Sequence, residues 1–195
     1  DWPSGIEPVN FPGLSSLMRS SGCFDDVDCV LHLAGRAHVM NETSRDQLAI
    51  YRQANVTETL CLASEASLAG VRRFVFVSSI KVNGEAAPSS APFSEVCVPC
   101  PQDAYAVSKY EAELGLLEIA AKTGMEVVIV RPPLIYGPNV KGNLRVLMKL
   151  LSRRIPLPFA LVDSNKRSLV SLGNLIDFLA LCVSHAEAAS RVFVV

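Results

Sequence analysis

Short apolar runs alternate along the chain with longer segments of mixed polarity. Residues 28–33 (Asp-Cys-Val-Leu-His-Leu) show little polar alternation and stop at Ala34-Gly35, the pattern of a strand buried on both faces. Residues 45–68 are mostly helix formers and meet Gly70, a suitable C-terminal cap. Arg73-Phe-Val-Phe-Val77 is a β-branched and aromatic run that ends in Ser78-Ser79, so it reads as a central strand. Residues 84–101 are rich in Pro, Ser and Ala and lack periodicity, which predicts a loop. Gln102 or Asp103 can cap a helix running to about Lys122. Residues 126–130 form a third buried run ending in Arg131-Pro132-Pro133, and Gly137-Pro138 marks a turn. A helix over 143–153, a short strand over 168–171, a helix over 172–184 and a strand over 192–195 complete the reading. Strands alternating with helices predict an α/β fold with a doubly wound parallel sheet. Ligands of such sheets sit outside the carboxyl ends of the strands. Ala34-Gly35, Ser78-Ser79 and Arg131-Pro132 all fall there.

Composition narrows the class. The chain has 195 residues, half of them hydrophobic, with 18 basic against 19 acidic side chains and no long run of one sign. Nothing in that balance attracts nucleic acid or an anionic membrane. No apolar stretch is long enough to span a bilayer, and the best, 175–183, contains Asp177. Six cysteines, at 23, 29, 61, 97, 100 and 182, are too sparse for a secreted disulfide scaffold and point to a reducing cytoplasm.

The chemistry-bearing pair is Tyr105-Ala-Val-Ser-Lys109 near a helix start. A spacing of four places both side chains on one face. A phenol with a pKa of about 10 needs ~4 kcal/mol of differential stabilisation to act as a base near neutrality. A cation ~6 Å away supplies roughly 2–3 kcal/mol at an effective dielectric of about 20. The expectation is therefore that Lys109, aided by a positively charged cofactor ring, lowers the Tyr105 pKa. Ser79, at the end of the preceding strand, offers a hydroxyl to the same pocket.

In order along the chain, His32-Leu33-Ala34-Gly35, Asn55-Val56-Thr57-Glu58-Thr59, Phe76-Val77-Ser78-Ser79, Val82-Asn83-Gly84, Tyr105-x-x-x-Lys109 and Arg131-Pro132-Pro133-Leu134-Ile135-Tyr136-Gly137-Pro138 resemble the motif set of the extended short-chain dehydrogenase/reductase family, in particular its nucleotide-sugar epimerases and dehydratases. The resemblance covers nearly everything from Asp28 onward. It implies a Rossmann-like domain over 1–140, truncated at its N-terminus, and over 141–195 the start of a small substrate-binding lobe interleaved with the last sheet elements. It implies NAD as cofactor, with NADP not excluded, and no metal. Leu33, Ala34, Gly35, Asn55, Val77, Ser78, Tyr105, Lys109 and Pro132 would contact that cofactor. Tyr105 would be general base and acid, Lys109 would hold the nicotinamide ribose, and Ser79 would bond the reacting sugar hydroxyl. Ser79, Asn143, Leu144, Phe159 and Arg167 would hold a UDP-sugar or similar nucleotide-sugar. Helices over 45–68 and 102–122 imply, by analogy with relatives, a homodimer.

The implied reaction is epimerisation at C4 through a 4-keto intermediate. The same side chains serve a 4-ketoreductase acting on a nucleotide-linked deoxy-amino sugar, and a non-catalytic nucleotide-binding relative is the competing class. Ile80-Lys81 stand where the family's 4,6-dehydratases carry Asp-Glu, which argues against dehydration. Asn83 and Leu134 replace the family's usual tyrosine and asparagine. The family's glycine-rich phosphate motif would precede Asp1, so both ends read as cut, and the 195 residues alone are expected to bind cofactor poorly and not to turn over. Cys97-Val-Pro-Cys100 lies in a Pro-rich loop without a second ligand pair and reads as incidental thiols. His32 reads as a packed core side chain and His38 as a solvated loop residue.

Overall fold

The computed structural model describes residues 22–37, 46–87, 91–138, 142–153 and 167–195, together with Glu7 and Val140. In chain order the elements are β1 (Cys29–His32), α1 (Gln47–Arg52), α2 (Glu58–Leu68), β2 (Arg73–Val77), α3 (Ala104–Thr123), β3 (Glu126–Arg131), β4 (Leu134–Tyr136), α4 (Gly142–Ser152), β5 (Leu169–Ser171), α5 (Leu172–Ser184) and β6 (Val192–Val194). β1, β2, β3 and β6 form a parallel sheet in that order, and β4 pairs with β5 in a second, two-stranded parallel sheet.

Strict alternation along β2 and β3 builds a core on each side of the sheet. Phe74, Phe76, Val127 and Ile129 face Leu62, Ala63 and Ala66 of α2 and Ala112 and Leu116 of α3. Val75, Val128 and Val130 face Leu175, Leu179 and Cys182 of α5. Each large apolar side chain buried this way contributes roughly 1.5–3 kcal/mol relative to exposure. The doubly wound parallel sheet predicted from the hydrophobic pattern is the observed one.

The helix ends follow local chemistry. Asp103 caps α3 by accepting the Ala106 N–H at 2.7 Å, and Gly124, with φ +79°, closes it in the left-handed conformation that glycine tolerates best. Asp46 caps α1 through the Ala49 N–H at 3.0 Å.

Two features depart from the sequence reading. The helix expected over 45–68 is two helices joined by a π-helical turn at Gln53–Thr57. The turn carries Asn55, which is buried and bonded to residues of other segments, and π-turns recur at functional sites. The stretch between Pro133 and the Gly137-Pro138 turn, to which the sequence reading gave no element, forms β4. Two consecutive prolines remove the backbone donors that would extend β3, so the chain leaves the main sheet and pairs with β5.

Candidate active site

The carboxyl ends of β1, β2 and β3 meet the first two turns of α3. Ser79 is extended (φ −156°, ψ 147°) and caps a single 3-10 turn at Ile80–Val82, its hydroxyl accepting the Lys81 N–H at 3.3 Å. The preceding backbone is tied to β3 by Ser78 N–H to Val130 O at 2.7 Å and Ile80 N–H to Pro132 O at 3.0 Å. Tyr105, in the first turn of α3, lies close enough to Ser79 for that hydroxyl to act on its phenol. Its ring also lies edge-on to Tyr51, centroids 6.1 Å apart. The two hydroxyls singled out in the sequence therefore share one cleft.

One helical turn on, Lys109 is only 4% exposed. Its ammonium donates to Val77 O at 3.0 Å and lies 4.5 Å from the centroid of the Phe76 ring. Burial depresses the Lys109 pKa to about 8, against a smaller raising effect of Glu113. The Tyr105 phenol is shifted the other way. Burial raises it most, the Ser79 hydroxyl lowers it, Asp103 raises it, Lys81 lowers it and Tyr51 raises it, with a net rise. The expectation that Lys109 and a positively charged cofactor ring together lower this phenol concerns the cofactor-loaded site. Lys109 is turned to the Val77 carbonyl, and the cation acting on Tyr105 is Lys81.

The loop after β1 is stitched to α3 by Asn55. Its side-chain oxygen accepts the Arg36 N–H at 2.7 Å, and its amide donates to Arg36 O at 3.1 Å and to the Ser108 hydroxyl at 2.9 Å. Ser108 in turn donates to the Tyr105 carbonyl at 2.7 Å. A Cβ at Gly35 would lie 3.1 Å from both Asn55 Oδ1 and Lys109 Nζ, so a side chain there would crowd the lysine. Leu33, Ala34 and Gly35 present their outer side to solvent. Val77 is half-buried, Pro132 is buried, and Ser78 Oγ is buried without a hydrogen-bond partner.

Behind the hydroxyls lies a second polar layer. Arg131 and Glu113 form a buried ion pair, with Nε to Oε1 at 3.0 Å, and Arg131 also donates to Asn83 Oδ1 at 3.1 Å. Asn83 thus occupies its motif position as a partner of Arg131. His32 is buried, bonded through Nε2 to Thr59 Oγ1 at 3.0 Å and stacked on Phe76. Burial first, and the Lys109 charge second, hold its pKa down to about 4. Its reading as a core residue stands.

Of the substrate-side residues, Ser79 lies in this cluster. Arg167 is exposed just ahead of β5. Asn143 and Leu144 fall in the first turn of α4, with side chains outside the described set. Phe159 and His38 lie outside the described residues. Among the described residues, no group of three or more His, Cys, Asp and Glu side chains is arranged to hold a metal ion, and no helix is long and apolar enough to cross a membrane.

Sequence reasoning missed Glu113, Ser108 and Asp103 as parts of the site. Glu113 had a signal. It continues the four-residue spacing of Tyr105 and Lys109 on a helix face that also carries Ala112 and Leu116, and a carboxylate on a buried face demands a cation.

A four-stranded parallel sheet with a Ser–Tyr–Lys constellation at its carboxyl edge defines a dinucleotide-binding α/β domain of the short-chain dehydrogenase/reductase type. The chain belongs to the NAD dependent epimerase/dehydratase family, whose model matches residues 14–195. It is similar to a UDP-glucose 4-epimerase of Vibrio cholerae, 48% identical over 166 residues, covering 85% of this chain and 51% of that protein. A GDP-6-deoxy-D-mannose reductase of Pseudomonas aeruginosa is 36% identical over 117 residues, 60% of this chain and 38% of its own. Among solved structures, MoeE5 in complex with UDP-glucose and NAD superposes with a TM-score of 0.76 at 28% identity, covering 94% of this chain and 60% of that one. The chain spans about half the length of the Vibrio relative.

Proposed function

We propose that the protein containing this chain is an NAD-dependent enzyme that epimerises C4 of a UDP-sugar through a 4-keto intermediate. The observation carrying this reading is the nearness of the Ser79 hydroxyl to the Tyr105 phenol at the sheet edge, one helical turn from a buried lysine. The 48% identity to a UDP-glucose 4-epimerase supports the reaction and the substrate class.

The residues present fit a dinucleotide. The chain at Gly35 passes so close to Lys109 that a side chain there would crowd it, Ala34 and Gly35 open to solvent, and the orphaned Ser78 hydroxyl offers a buried polar contact. Leu33, Ala34, Gly35, Asn55, Val77, Ser78 and Pro132 would line it, with Lys109 turning its ammonium to the ribose. A nicotinamide ring supplies hydride acceptance and, when oxidised, a positive charge. Tyr105 takes the proton from the sugar 4-hydroxyl and later returns it. Ser79 bonds the same oxygen and fixes its orientation. Protein charge alone leaves the phenol protonated at neutral pH, so the base form depends on the loaded site. Asn143, Leu144, Phe159 and Arg167 would hold the nucleotide diphosphate from the segment 141–195, which we assign to the start of the substrate lobe interleaved with the last sheet elements, and 1–140 to the cofactor domain. The six free thiols support a cytoplasmic setting, and a homodimer through helices α2 and α3 is the expected assembly.

A 4-ketoreductase of a nucleotide-linked sugar is the second reading, favoured by the similarity to a GDP-6-deoxy-D-mannose reductase. The experiment takes the polypeptide its gene encodes. Conversion of a UDP-sugar without net consumption of cofactor supports the epimerase, and stoichiometric oxidation of NADPH by a 4-keto sugar supports the reductase. Tyr105→Phe is expected to lower kcat by about 10²–10⁴-fold with the fold intact. Unchanged turnover in that variant overturns both readings.

A further inference from the structure

Lys81 touches the site at two points. Its backbone N–H donates to the Ser79 hydroxyl at 3.3 Å. Its ammonium reaches Asp103 Oδ2 at 2.6 Å and Glu85 Oε1 at 3.2 Å. Asp103 spends its other oxygen on the Ala106 N–H at 2.7 Å, capping the helix whose second residue is Tyr105. A single side chain therefore ties the turn carrying Ser79 to the end of the helix carrying Tyr105. No other connection of that kind is needed for the fold, because α3 already packs through Ala112 and Leu116.

We infer that Lys81 is a positioning residue whose ion pair with Asp103 clamps the Ser79 turn to the amino end of α3 and holds the two hydroxyls in register. This role rests on the active-site reading proposed above and deepens it. The pair has an electrostatic side too. Lys81 and Asp103 act on the phenol with opposite signs, alongside the Ser79 hydroxyl and the Tyr51 ring. Lys81 itself faces Asp103 and Glu85, and Lys109 lies a turn further along α3, directed at Val77 O. Paired, the two charges largely cancel at the phenol. Removing either one unmasks the other.

The experiment titrates the Tyr105 phenol by ultraviolet difference absorbance, with Tyr105→Phe as the blank, in the polypeptide the gene encodes. Lys81→Met exposes the phenol to an unneutralised carboxylate, so its midpoint is expected to rise by about half a pH unit or more. Asp103→Asn keeps a good helix cap but leaves the ammonium, so the midpoint is expected to fall by a similar amount. Lys81→Arg restores the wild-type midpoint. Lys81→Met is also expected to lower kcat about tenfold with KM within twofold. Shifts of the same sign in Lys81→Met and Asp103→Asn, or no shift in either, overturn the clamp. Should Lys81→Met fail to fold, Asp103→Asn decides alone, and no downward shift overturns the inference. The titration needs no substrate, so loss of the catalytic reading through an active Tyr105→Phe is a separate outcome.

Discussion

Under α5, the sheet offers Val75, Val128 and Val130 to Leu175, Leu179 and Cys182, an apolar contact throughout. Under α2 and α3, the carboxyl ends of the same strands bury His32, Asn55, Thr59, Ser108, Lys109, Glu113 and Arg131. Among the described residues, the α5 side has one buried ion, Arg73, at the other end of the sheet. It donates to Glu126 at 2.7 Å and to the carbonyls of Cys182, Val183 and His185, closing the end of α5. Arg73 is thus spent on architecture. The α3 side is different. Lys109 has a strongly lowered pKa and Ser78 an unpartnered hydroxyl. Stability alone would favour apolar residues there. Buried groups that oppose stability and gather at the ligand end of a sheet mark a working site.

The comparison is broken most severely at the Arg131–Glu113 pair. Glu113→Ala leaves a buried guanidinium with Asn83 as its side-chain hydrogen-bond partner among the described residues, and is expected to cost about 3–5 kcal/mol by urea denaturation. The double replacement Glu113→Leu with Arg131→Met removes both charges and is expected to return to within about 2 kcal/mol of wild type. If the single variant loses less than ~1 kcal/mol, the two faces do not differ as described.

That pair also shows where the sequence was legible. Runs such as Arg73–Val77 and Glu126–Arg131 announce strands because both faces of each strand are buried, so nearly every position is apolar. Tyr105 and Lys109 were found because their spacing is local, and Ser79 because it ends a buried strand and matches a family motif. What escaped depends on contacts distant in sequence. Glu113 meets Arg131 eighteen residues away and Lys81 meets Asp103 twenty-two away, and no periodicity encodes such pairings. β4 escaped for another reason, since three residues give too short a pattern to register, whereas β5 fell within the strand expected over 168–171. The π-turn at Gln53–Thr57 sits inside helix-forming residues, and only the burial of Asn55 reveals it.

His32 sharpens the contrast through pH. Its pKa is about 4 in the folded protein against an ordinary 6.5, because burial and the Lys109 charge disfavour the imidazolium. The unfolded chain therefore binds more protons between those values, and stability falls as pH drops from 6.5 toward 4. At pH 5 the loss is about 2 kcal/mol from this group. Denaturation curves of wild type and His32→Gln, measured from pH 7 to 4.5, are expected to converge as the pH falls. Parallel curves would show that the imidazole is not held neutral by its surroundings.

Lys109 gives the smallest change in stability and the one whose sign is least intuitive. Its folded pKa is about 8 and its ordinary value 10.5. The buried ammonium therefore opposes folding below pH 8, and that opposition fades as pH rises from 8 to 10.5. Lys109→Met removes the charge and keeps the apolar stem against Phe76, while the Val77 carbonyl loses its partner. The two effects partly offset, leaving an expected gain of about 1 kcal/mol at pH 7. The gain shrinks toward pH 10, where the wild-type amine is itself neutral in the fold. Activity moves the opposite way, with turnover expected to drop at least about 100-fold. A variant that is more stable and less active isolates a lysine kept for chemistry. If Lys109→Met is instead strongly destabilised at pH 7, the ammonium is a structural tie, and the α3 face is no different in kind from the Arg73 end of α5.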